Sequence, residues 1–202
     1  GSEKKGLPPN TSLTVGTGKV RSHQELHQVD FVPLANASAF HLSNPLAGLG
    51  EGGVLFVQTE RETPEGLWDE LPPYAKGIVK EKGIRVLGLD NTRIAREEAP
   101  TPDLVQRMQG IVLLGVFLKS TPYQQSQGIT DEQLWDGVTE ALRHFFGPRR
   151  GEQVVQDNLR IVKRGYTEVM EVPRALIDQD TSLDQEDDDE RTEVETTNLF
   201  FV

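Results

Sequence analysis

The chain has no cysteine in its 202 residues. It can therefore form no disulfide, no thiolate zinc site and no cysteine-ligated iron–sulfur cluster of its own. That is compatible with a reducing cytoplasm, the expected compartment. No run of about 18 apolar residues occurs, so no membrane span is expected. The opening Gly1-Ser2-Glu3-Lys4-Lys5 lacks the apolar stretch of a secretory signal. Aromatic residues make up only 6% of the chain, and no basic stripe interleaves with them, so nucleic acid is not an expected partner. There is no G-x-S-x-G, no P-loop and no thiol nucleophile. No catalytic residue and no metal ligand is assigned.

The net charge of −11 is concentrated at one end. Between Asp178 and Glu195 stand ten acids and one base, a net of −9, which leaves about −2 for the rest. The Asp187-Asp188-Asp189-Glu190 run repels itself and buries nothing, so a disordered or extended arm is expected over residues 177–202. Its apolar end, Leu199-Phe200-Phe201-Val202, suggests docking on a neighbour. Residues 1–176 read as one globular domain, with enough length for a core.

Within that domain, strands alternate with helices. Thr11–Val15 and Lys19–Glu25 suggest a strand pair around Gly16-Thr17-Gly18. Val29–Ala35 reads as a buried strand despite Pro33, which cannot donate to a ladder. A short helix and loop follow over residues 37–49. Gly53–Thr59 (GVLFVQT) is a short apolar run with the character of a buried strand. Helices are expected from Pro64, over Tyr74–Lys82 with Gly83 ending it, and over Asn91–Glu98, with a strand over Ile84–Leu89 between the last two. A long apolar helix covers Asp103–Lys119. Thr130 and Gln133 have capping-box chemistry for a helix ending at Gly147-Pro148. A last amphipathic helix spans Glu152 to about Glu171. This alternation predicts an α/β fold: a Rossmann-like, mainly parallel sheet flanked by helices.

Several patterns invite chemistry and are better explained without it. Gly48-Leu49-Gly50-Glu51-Gly52-Gly53 fits G-x-G-x-x-G, but it precedes a strand instead of opening a helix, so it reads as a tight turn. His23 and His27 lack the glutamate that follows the first histidine of a metalloprotease helix. On a strand they would also stand about 13 Å apart. His41 and His144 are isolated. The one plausible site is for an anion. Lys4 and Lys5 supply two ammonium groups, Gly6 admits close backbone approach, and Thr11 and Ser12 supply hydroxyl donors, a set suited to phosphates. Lys19 and Arg21 could add charge from the next strand.

The order of elements resembles a known family. Ser2-Glu3-Lys4-Lys5-Gly6 is similar to its G/S-x-E/K-K/R-x-G loop, and Asp30-Phe31-Val32 to its D-F-V strand. Gly52-Gly53 with GVLFVQT resembles its glycine-led strand, and Trp68-Asp69-Glu70-Leu71-Pro72 its W-x-x-L-P. Lys82-Gly83-Ile84-Arg85-Val86 with Ile94-Ala95, the helix from Arg107-Met108 to Pro122, and Gly151-Glu152-Gln153-Val154-Val155 with Asn158 and Gly165 continue the series to about residue 173. The family is the 2-oxoacid:acceptor (ferredoxin) oxidoreductases, including the pyruvate and 2-oxoglutarate enzymes, and the match is to their γ subunit or third domain. Such enzymes decarboxylate a 2-oxoacid oxidatively on thiamine diphosphate, pass electrons through iron–sulfur clusters and transfer the acyl group to coenzyme A.

The resemblance implies that this chain is one component of such a complex. It would contact coenzyme A through Lys4, Lys5, Gly6, Thr11, Ser12 and Arg107, and help close the active site. The family often has Asn where Arg107 stands; Arg can still bind an anion there, with a different reach. Thiamine diphosphate, magnesium and the clusters would belong to partner domains or subunits, with ferredoxin as electron acceptor. The Gly-rich G-x-G-G-Q-G beginning of the γ domain is missing from this sequence. Two other functions share the same fold expectation: a non-catalytic assembly module, and a free-standing coenzyme A- or nucleotide-binding protein.

Overall fold

A computed structural model of the chain describes residues 29–181. The lysine loop, the Thr11–Val15 and Lys19–Glu25 strands, His23 and His27, and the acidic run from Asp184 onward lie outside the described residues. At the centre is a four-stranded sheet in the order β1 (Val29–Leu34), β2 (Leu49–Gln58), β3 (Arg85–Leu89), β4 (Met170–Glu171). The first three strands are parallel and β4 is antiparallel to β3. Among the described residues β1 has a partner on one side only, which is where a proline such as Pro33 costs a ladder least.

Each face of the sheet has its own core. On one face Leu55, Val57 and Val86 pack with α1 (Ala39–Leu42), α2 (Pro64–Asp69), α3 (Pro73–Lys82) and α9 (Arg174–Gln179), which contribute Phe40, Leu67, Trp68, Val79 and Ile177. On the other face Val54, Phe56, Leu87 and Leu89 meet α4 (Asn91–Glu98), α5 (Val105–Ser120) and α8 (Glu152–Glu168) through Ile94, Met108, Val112, Val116 and Ile161. The expected α/β layering, with helices on both sides of a mainly parallel sheet, is what the chain adopts. Outside this, α7 (Asp131–Arg150) packs on α8 through Leu142 against Val155, Leu159 and Val162. A short α6 (Tyr123–Gln127), not anticipated, links α5 to α7.

Local chemistry accounts for most boundaries. Thr63 and Asp90 accept the Gly66 and Arg93 N–H groups at the starts of α2 and α4. Gly83, at φ 62°, ends α3 in the left-handed conformation. Thr130 and Gln133 form the reciprocal capping box at α7.

Five expectations need correction. Leu49–Gly53 is no tight turn; it is the start of β2, where Gly52 at φ 67° helps absorb a register shift between the Val29–Leu49 and Phe31–Val54 pairs. The long apolar helix begins at Val105, after a 3-10 turn over Pro102–Leu104. Helix α7 passes Gly147-Pro148 and ends at Arg150. The final amphipathic helix ends at Glu168, since Met170 and Glu171 pair with Gly88 and Leu87 of β3. The compositional boundary at residue 177 falls inside α9, where Ile177 is buried in the core.

Candidate functional site at the carboxyl edge of the sheet

In open α/β sheets ligands sit beyond the carboxyl ends of the parallel strands. Here that edge carries Gln58 and Thr59 after β2 and Asp90 after β3. The Gln58 side-chain amide donates to Asp90 Oδ1 at 2.9 Å, and its oxygen accepts the Asn91 backbone N–H at 2.7 Å. From α5, Gln109 Nε2 donates to Thr92 Oγ1 at 2.8 Å. Thr59 Oγ1 donates to Glu70 Oε2 at 2.7 Å, and Arg61 Nε to Glu70 Oε1 at 3.0 Å. These groups satisfy one another, so they brace the edge and hold the start of α4 and α5 against β2 and β3. The sequence reading missed this bracing. Its only legible signal was Asp90, an N-cap residue directly after an apolar strand.

Of the predicted site residues, the structure describes Arg107. It lies in the first third of α5 and is exposed. Its guanidinium has no ion pair or hydrogen bond to another described residue. Among the described arginine side chains, only Arg96 shares that condition; the others each pair with a carboxylate. By helical geometry Arg107 shares a flank of α5 with Gly110, Leu114 and Phe117. Phe117 meets Phe31 of β1 edge-on, with ring centroids 5.4 Å apart. That contact lies ten residues along α5 from Arg107, about 15 Å of helix. A shallow depression of about 480 Å³ at the α4–α5 elbow, lined by Arg96, Thr101, Pro102 and Val105, is a separate feature. Two residues along a helix turn the side chain by about 200°, so Arg107 points away from Val105 and from that depression.

His41 and His144 are exposed and far apart in sequence, and no group of three or more metal-capable side chains occurs among the described residues. No helix of the described residues is long and apolar enough to cross a membrane.

Residues 1–168 match the family model described as pyruvate ferredoxin/flavodoxin oxidoreductase. The chain belongs to that family. The γ-type resemblance drawn from the ordered motifs agrees with this membership. Among its oxidoreductase relatives, the chain is 24% identical over 161 residues to pyruvate dehydrogenase [NADP(+)] of Cryptosporidium parvum, covering 80% of this chain and 8% of that protein. It is 20% identical over 161 residues to pyruvate-flavodoxin oxidoreductase of Trichormus variabilis, covering 80% and 12%. The chain thus spans about a tenth of the length of these curated relatives. The crystal structure of pyruvate oxidoreductase subunit PORC from Thermotoga maritima is similar with a TM-score of 0.46 and 22% identity, over 73% of this chain and 67% of that one.

Proposed function

We propose that the chain is the γ component of a thiamine diphosphate-dependent 2-oxoacid:ferredoxin oxidoreductase, which converts a 2-oxoacid to acyl-coenzyme A in the cytoplasm. The observation that carries this reading is the family match over residues 1–168. The chain's own part is to hold coenzyme A and help close the site. Lys4 and Lys5 supply charge-assisted donors for the ligand's phosphates, Gly6 lets the backbone approach, and Thr11 and Ser12 add hydroxyls. Arg107 adds a guanidinium that no described residue neutralises. This donor set suits the phosphates of coenzyme A. It does not suit an iron–sulfur cluster, because the chain has no thiolate to ligate one. Thiamine diphosphate, magnesium, the clusters and the contact with ferredoxin belong to partner domains or subunits. Holding the acyl acceptor in place before transfer is a contribution through positioning.

Calorimetry with coenzyme A, on the chain alone and with its partner subunits, tests the assignment. Saturable binding in either setting is the expected result. Absence of binding in both would remove the coenzyme A role and leave an assembly function.

A further inference from the structure

We infer that α9 is a strap latched at its end by Asp180, able to open locally while the sheet stays folded. Asp180 Oδ2 accepts the Trp68 indole N–H at 2.6 Å and a Lys76 ammonium hydrogen at 3.3 Å. Lys80 Nζ donates to the Asp180 backbone carbonyl at 3.3 Å. Lys76 also lies over the Trp68 ring, 5.1 Å from its centroid. Every donor comes from α2 or α3, across about a hundred positions of chain. The strap itself is short. It spans six residues, has no side-chain N-cap, and buries one residue fully, Ile177. Its exposed side is tied by Arg174, which pairs with Asp178 at 2.9 Å and donates to the Lys80 carbonyl at 3.2 Å.

The attachment upstream is firm. The Val172 N–H donates to the Val86 carbonyl at 2.9 Å, and Val172 is buried. Pro173 then starts α9 and marks the hinge. Between that hinge and Asp180, buried Ile177, half-buried Leu176, the Arg174 bond to the Lys80 carbonyl and the Asp180 latch hold the helix down. Segments held by so few contacts open at lower free energy than the strands they cover. Opening leaves the Trp68 indole, 3% exposed when latched, without its acceptor, and frees two ammonium groups at the rim. Opening of the strap thus uncovers the α2–α3 face.

Hydrogen exchange of individual amides on the full chain tests this. In the unaltered protein the Leu176 and Ile177 amides should exchange faster than those of Val57 and Leu87. Asp180→Ala should speed Leu176 and Ile177 by about tenfold, the scale of a lost charged hydrogen bond, and leave them faster than Val57 and Leu87. Lys76→Met, which attacks the latch from the other side, should act in the same direction. The inference is overturned if Leu176 and Ile177 exchange at the rate of Val57 and Leu87 in the unaltered protein, which would mean that α9 opens only with the whole fold, or if neither variant speeds them, which would mean that Asp180 is no latch.

Discussion

Gly165 of α8 lies so close to Val112 of α5 that a Cβ on the glycine would run into the Val112 carbonyl oxygen. Gly115 meets the Val162 backbone in the same way from the other helix. These two glycines let the helices cross backbone to backbone, and the crossing fixes α8 over the sheet. Gly165→Ala should destabilise the fold by about 1–3 kcal/mol, since neither backbone has a flexible side chain that can move aside. Urea unfolding followed by circular dichroism checks this. An unchanged midpoint would mean that the crossing is looser than described.

Arginine–carboxylate pairs tie α4 to α8 and α7 to α8. Glu152 is held at about 2, against an ordinary 4.5, chiefly by its hydrogen bonds from Arg143. Glu97 and Glu168 are held below the ordinary range chiefly by Arg164. A carboxylate depressed in the folded state contributes stability that is fully present above about pH 4.5 and is lost as pH falls toward 2. The urea midpoint should therefore decline through that window. Glu152→Gln should flatten part of the decline, and salt should weaken the whole effect because these groups are exposed.

The acidic arm and α9 can be separated by truncation. Removing residues 182–202 should leave the melting temperature nearly unchanged. Removing residues 178–202 takes away Asp180 and the end of α9, and should cost about 1–3 kcal/mol through the loss of charged hydrogen bonds. Equal effects of the two truncations would contradict the latching role given to Asp180.

Lys4→Ala with Lys5→Ala should weaken coenzyme A binding by about tenfold or more, while oxoacid decarboxylation by the assembled enzyme stays nearly intact. Arg107→Gln should weaken binding less and leave the unfolding midpoint unchanged, because the side chain is exposed and bonds no described residue. Equal loss of binding and decarboxylation in the lysine variant would assign the lysines a structural role.

Features governed by neighbours in sequence were legible before the structure. The bounds Asn91–Glu98, the stop at Gly83 and the Thr130–Gln133 box follow from capping and left-handed glycine, which act within a few residues. Features that depend on distant partners were not. Met170-Glu171 reads as the tail of an amphipathic helix until β3 is beside it. Asp180 looks like one of many solvated acids until Trp68 and Lys76, more than a hundred positions away, are brought to it. The same holds for the candidate site: Arg107 was named through a resemblance, and only the fold shows its guanidinium unpaired among the described residues.

The most direct test of the account is purification of the chain from its native source, with its companions identified by mass spectrometry and bound thiamine diphosphate and iron measured. The account predicts a stoichiometric assembly in which other polypeptides carry the thiamine diphosphate and the iron–sulfur clusters. A chain that purifies alone, without thiamine diphosphate or iron and without affinity for coenzyme A, would contradict it.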